Sequence, residues 1–458
     1  MVNSIIELLQ SKKFFVFWAI SLLAIKLWLV GCHYLMATDS PHDSLLFVRQ
    51  AHSLLSGTWL GPYDQFVMIK GPFYPFFIAL TYLLNVPLLS AQQIVYWFAS
   101  LAAVWAFYPV VRRKWLLPFL FLCLLFNPFS YDYPWTARVY RLGIYSSLGL
   151  LTFSCVAGLA LRLRIFQKTA PVWSVAAGVF LSAFWNTREE SLWIIPSLLL
   201  LLLPVVPALH NRKFSRQVML FGLAVLPFLM LLGTNYTLKT INQRRYGVPA
   251  VIELNTPEFK SAYGGLLRIK SKYWRQHYPV VRDAREQAYA VSPSFRELKP
   301  FIDGPIGKRW QELARSDDIP TEYFIWLFRD AVAYAGHAES GPDALQFYAE
   351  MGKEIDQACE EGRLDCRPRF TSQVPAWHKE YNSQLLPSFF SILKRIITFS
   401  DFSADTEGVM SSGPGSIMVT YETVTREKLL TSRRDQLKAA PEYHRRMNRQ
   451  KIKVLNKI

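Results

Sequence analysis

Two carboxylates and a lysine frame the stretch of this chain richest in reactive side chains. Asp39 and Asp43 open the segment DSPHDSLLFVRQAHSLLSGTWLGPYDQFVMIKGPFYP, and Lys70 stands near its end, just before an apolar run. If residues 39–43 are helical, their i,i+4 spacing puts both acids on one face. A carboxylate at a bilayer surface, beside an apolar cavity, can take the proton of a sugar or lipid hydroxyl. The plainer use of such acids is to cap backbone amides at a helix start, which Asp39-Ser-Pro suits well. Asp43, set inside the amphipathic run, is less well explained by capping. The Lys70 ammonium can snorkel to headgroups. Alternatively it neutralises charge on a departing phosphate, with Gly71 and Pro72 permitting a close approach. Trp59, Tyr63, Asp64 and Tyr74 add the mixed aromatic and polar surface that suits a sugar.

Two further loops carry the same chemistry. YDYPWTARVYRLGIY contains Arg138 and Arg141, and WNTREESLW contains Arg188, Glu189 and Glu190. Glutamates there fit the N-terminus of a following helix. Arginines on the outer side of a membrane run against the usual bias of basic residues. A bidentate grip on a lipid phosphate is a reason to place them there.

The elements that must hold these loops are apolar helices. Runs at 14–36, 72–89, 92–111, 115–130, 143–161, 171–186, 191–209 and 217–233 approach the length a bilayer core requires. The first is too long for a secretory h-region and lacks a small-residue cleavage site, so it reads as a retained anchor. Basic clusters at 112–114, 162–168 and 210–216 belong on the cytoplasmic side. That leaves 37–71, 130–142, 187–190 and everything after Gly233 outside. If both 72–89 and 92–111 cross, Arg112 ends on the wrong side, so one of the two must be re-entrant or broken at Pro87. Beyond 233 the pattern becomes charged helical fragments bounded by glycine and proline. The expected fold is therefore all-α. It comprises a polytopic membrane bundle over 1–233, a helical extracytoplasmic domain over 234–385, and an interfacial helix with a basic tail over 386–458.

Composition narrows the function classes. Of the 458 residues 15% are aromatic and 19% charged, with a net charge of +17. The basic clusters of the first half each adjoin an apolar run, so membrane topology and anionic lipid explain the charge better than nucleic acid does. No phosphate-binding glycine loop, dinucleotide fingerprint or HExxH motif is present, and the scattered histidines give no metal set. No cofactor is demanded by these residues, and a divalent cation is left open. Cys32, Cys123 and Cys155 fall in apolar runs. Cys359 and Cys366 flank CEEGRLDC, where a disulfide would imply an oxidising compartment and two unrelated thiols are the alternative.

An acid pair after the first span, an amphipathic external loop and the KGPFYP lead-in to the second span resemble the GT-C glycosyltransferases. This family includes the protein O-mannosyltransferases and the aminoarabinose transferases of lipid A. The resemblance covers roughly 10–235 and departs at His42, where an acid is usual. It implies a polyprenyl-phosphate sugar donor in the membrane lipid and a glycan, lipid or protein acceptor. It further implies transfer on the extracytoplasmic face of a bacterial inner membrane. Asp43 then stands as catalytic acid position, Asp39 as its fallback, and Lys70 as the donor-phosphate residue, joined by Arg138, Arg141 and Arg188. A transporter or flippase, or a non-catalytic scaffold of an envelope-glycan complex, are the other classes compatible with the sequence.

Overall fold

A computed structural model describes residues 11–209, 213–369, 377–404, 410–431 and 442–457. The Arg212 position of one basic cluster, and much of the basic tail, lie outside the described residues. Those that are described form helices joined by turns, with isolated bridges and no strand. The chain divides into two compact units. One comprises Met1–Gly61, Gly71–Asn235 and Thr398–Ile458, and the other Pro62–Lys70 and Tyr236–Ile397.

The first unit contains α1 (Lys12–Val30), α2 (Ser44–Leu55), α3 (Phe73–Leu83), α4 (Leu88–Phe107), α5 (Leu116–Leu125), α6 (Leu142–Arg164), α7 (Ala170–Trp185), α8 (Ile194–Leu202) and most of α9 (Phe214–Tyr246). Four of these, α1, α4, α6 and α9, are long and apolar enough to cross a membrane. Among the described residues, four other apolar stretches, Phe73–Leu83, Leu116–Leu125, Ala170–Trp185 and Ser191–Val205, form shorter helices. At 1.5 Å per residue the 11 residues of α3 reach about 16 Å, roughly half a bilayer core. The apolar run continues past Leu84, but Asn85 turns into the left-handed region at φ 57° and Pro87 starts α4. The apolar run 72–111 is therefore interrupted between α3 and α4, at Asn85–Pro87.

Charged groups close several helix ends in this unit. Glu427 accepts the Leu89 N–H at the start of α4 (2.7 Å), and Arg162 donates to the Trp105 and Ala106 carbonyls near its end (2.8 and 3.1 Å). Lys26 donates to the last carbonyl of α5, Leu125, and to Ser130 Oγ at 2.6 Å. Arg426 donates to the Tyr82 carbonyl at the end of α3 and lies over the Tyr82 ring. A carboxylate at an N-terminus and cations at C-termini match the helix dipoles. Arg162 is therefore a buried clamp on α4 rather than a solvent-facing topology signal.

Glu427 makes this clamp pH-sensitive. Burial pushes its carboxyl up from 4.5 to about 7, more than the Leu89 hydrogen bond lowers it. A raised carboxyl favours the protonated folded form. Its contribution is complete below about pH 4.5 and is lost as pH rises through 7, a difference of about 3 kcal/mol. The melting temperature of the detergent-solubilised chain is expected to fall between pH 5 and pH 8. Glu427→Gln should flatten that fall, and an unchanged profile in the variant would assign the slope to other groups.

The C-terminal stretch is not a detached tail. In α14 (Gly415–Thr425) Met418, Tyr421 and Val424 are buried with residues of α2, α3 and α6 in one apolar cluster. Leu35, Thr38 and Met36 bridge to Leu429, Ser412 and Arg138. Leu455 of α15 (Glu442–Leu455) is buried with α1 residues, and Lys451 lies over the Trp28 ring. Residues 398–458, expected as part of a separate tail, thus belong to the first unit.

The second unit is built on α10 (Pro257–Leu267), α11 (Thr321–Tyr334) and α12 (Gly341–Glu360), whose Phe259, Tyr263, Phe328 and Tyr348 rings pack together. Cys359 and Cys366 are disulfide-bonded at the end of α12. The segment 62–70 is part of this core. The Glu253 N–H donates to the Met68 carbonyl (2.8 Å), and Arg329 donates to the Gln65 and Val67 carbonyls.

Candidate active site

Asp43 is the residue that precedes α2, and its side chain makes no capping hydrogen bond to that helix. The helix begins at Ser44, so Asp39 and Asp43 do not share a helical face. The bridges that draw 35–38 out into an extended conformation account for this. Asp39 is exposed and Asp43 half-buried. The Asp43 carboxylate stands 3.6 Å from the Arg138 guanidinium, with both side chains about a quarter exposed (25% and 27%). That separation is an ion pair without a direct hydrogen bond. The hydroxyls of Tyr74 and Tyr421 lie within electrostatic reach of Asp43, and Tyr421 donates to the Thr38 carbonyl at 2.9 Å.

From Arg138 the polar groups continue through one cluster of the first unit. The Arg138 guanidinium sits 5.8 Å from the Tyr140 ring, and Arg188 interacts electrostatically with Tyr140. Arg188 pairs with Glu190 at 3.1 Å and lies over the Tyr145 ring. Arg141 is buried, and one of its nitrogens contacts both Glu189 oxygens at 2.6 and 2.7 Å. It also donates to the Thr187 carbonyl and approaches the Phe47 ring, whose edge meets Tyr74. Arg141 and Glu189 thereby tie the loop after α7 to the start of α6. Arg138 and Arg188 keep more exposure and can reach an anion. Several buried polar atoms here have no hydrogen-bond partner: Ser44 Oγ, the Gln50 amide, and Nε of both Arg138 and Arg141. Each such atom costs about 1–3 kcal/mol unless something polar satisfies it.

Most of the other residues singled out from the sequence lie elsewhere. Lys70 belongs to the second unit, almost fully buried, with its ammonium 5.5 Å from the Trp326 ring. Tyr63 donates to Glu253 at 2.6 Å inside that unit, and Asp64 accepts the Phe66 and Val67 amides of its own turn. Trp59 meets the Phe76 ring edge-on in the first unit, and Tyr74 is fully buried, with Gln92 donating to its hydroxyl.

Gly71 has a backbone reason to be glycine. A Cβ there would stand 2.1 Å from the Asn186 carbonyl oxygen, which also accepts the Phe73 N–H. KGPFYP is therefore a docking point for the turn that carries Arg188. Gly71→Ala is expected to destabilise the chain by about 1–3 kcal/mol, read from thermal unfolding in detergent. A variant that melts with the parent would rule the close approach out.

Sequence reasoning missed Tyr421, Arg426 and Glu427. Their positions depend on contacts more than 300 residues away in the chain, which leave no local pattern. Comparison with protein-family models, curated proteins and solved structures gives no match to this chain.

Proposed function

We propose that this chain is a membrane glycosyltransferase that moves a sugar from a polyprenyl-phosphate donor to an envelope acceptor on the extracytoplasmic face. The observation that carries the reading is the half-buried Asp43 carboxylate, 3.6 Å from the Arg138 guanidinium. In this reading the acceptor hydroxyl oxygen forms a bond to the anomeric carbon of the donor. The bond from that carbon to the phosphate oxygen breaks, and its electron pair leaves with the polyprenyl phosphate. Asp43 takes the hydroxyl proton. Arg138 and Arg188 hold the phosphate and stabilise the charge it gains. Lys70, buried against Trp326, is left out of this donor site.

Three further observations support the reading. Four apolar helices give the chain access to a lipid-borne donor. The Cys359–Cys366 bond favours an oxidising compartment for the second unit. The unpartnered polar atoms of Ser44, Gln50, Arg138 and Arg141 suit a polar ligand. Transport draws less support, because Lys26 of α1 and Arg162 of α6 are engaged by helix-end carbonyls. The test is mass spectrometry of envelope glycans from a deletion strain. Loss of one sugar substituent, restored by the wild-type chain, is expected; an unaltered glycan profile would sink the proposal.

A further inference from the structure

The most unusual surface of the second unit is α13 (Asn382–Thr398), a helix with no buried residue. At about 100° per residue, Leu385, Leu386, Phe389, Phe390 and the apolar pairs at 392–393 and 396–397 fall in one arc of roughly 160°. These side chains are 39–67% exposed. Ser383, Gln384, Ser388, Ser391, Lys394 and Arg395 occupy the opposite side. The contacts with the rest of the unit come from the first turns of the helix, where Leu385 at the start of the apolar arc also lines the cleft. Gln384 accepts from Gln276 at 3.2 Å, and Gln384 and Ser388 line a cleft of about 520 Å3 with Trp274 and Tyr278.

We infer that the apolar arc of α13 lies in the interface of an anionic lipid bilayer. An uncovered apolar face of this extent marks an interaction surface in a soluble environment. Its occupant is identified by length, charge and context. Seventeen residues span about 26 Å, and the polar side is continuous, so the helix is shaped to lie along a bilayer rather than cross it. It carries Lys394 and Arg395 and no acidic residue, which complements anionic headgroups. The same chain carries four helices fit to cross a membrane, so a lipid surface is always at hand. The anchor would hold the aromatic cleft beside the membrane surface.

The test uses the full chain in nanodiscs containing phosphatidylglycerol, with the exposed Cys123 replaced by serine. Cys32 and Cys155 stay buried, and the unlabelled-site background is measured on that parent. Phe389→Cys, Ile396→Cys, Ser383→Cys and Ser391→Cys, all at exposed positions, each receive an environment-sensitive fluorophore. Brominated acyl chains should quench the labels at 389 and 396 at least about twofold, as expected for burial about 5–10 Å into the headgroup boundary, and spare those at 383 and 391. Equal quenching on both faces would overturn the inference. So would no quenching accompanied by concentration-dependent dimers in detergent, which would assign the arc to a second copy of the chain.

Discussion

Asp43→Asn is expected to lower kcat for sugar transfer by about 10²–10⁴-fold, the range a positioned general base supplies. The amide keeps the shape of the carboxylate and cannot accept the acceptor's proton. Fold and membrane insertion should survive, because the pair with Arg138 is partly exposed. A pair of that kind stabilises by about 0–1 kcal/mol. The KM for donor should change little, since Arg138 and Arg188 remain. Arg138→Ala should give the opposite signature, a raised donor KM with a smaller effect on kcat. Asp39→Asn serves as the control, because that carboxylate is exposed. The measurement is release of polyprenyl phosphate by purified protein, with wild type, the two Asp variants and the Arg variant side by side. Full turnover by Asp43→Asn would remove Asp43 as base. Loss on Asp39→Asn alone would transfer the role.

Much of the helical architecture was legible, because apolar runs and glycine-proline stops are local signals. The two compact units divide the chain between Asn235 and Tyr236, inside the continuous helix α9, where no local stop marks the change. The length of α3 was not legible, since hydropathy continues through the turn at Asn85 while the helix stops at Leu83. The arginines within 130–142 and 187–190 stood out as charges between apolar runs. Their partners did not, although Glu189 and Glu190 lie next to Arg188 in sequence. One glutamate is claimed by Arg141 and the other by Arg188, a choice that only the three-dimensional course of the loop makes. The loop 37–71 read as a single object, yet 62–70 joins the second unit through the carbonyls of Gln65, Val67 and Met68. Backbone groups are the same at every position, so such a join has no sequence signature. Asp39 and Asp43 lost their common helical face because residues 35–38 bridge to partners at 138, 412 and 429.

The join at 62–70 rests on the most buried ion pair of the second unit among the described residues, and its removal should have the largest effect on stability. Arg329 is 2% exposed and Glu253 fully buried, with nitrogen and oxygen 2.6 Å apart. Glu253 also accepts from Tyr63 and Tyr348, while Arg329 donates to the carbonyls of Gln65 and Val67. One visible cue was Arg329 itself, a charge inside the apolar run IWLFRDAVAY. Arg329→Met removes one partner and strands a buried carboxylate, a change that costs about 3–5 kcal/mol. For a unit of this size that corresponds to a fall of about 6–20 °C in melting temperature. Scanning fluorimetry of the purified chain, with disulfide intact, measures it. Limited proteolysis should show new cleavage within 62–70, because three of its carbonyls lose or loosen their donors. The double variant Arg329→Met, Glu253→Leu should recover part of the loss by removing the stranded charge. Recovery cannot be complete, since Tyr63 and Tyr348 would lose their acceptor and the two carbonyls would still lack their donor. If the single variant melts with the wild type, the pair is not what holds 62–70 in the second unit.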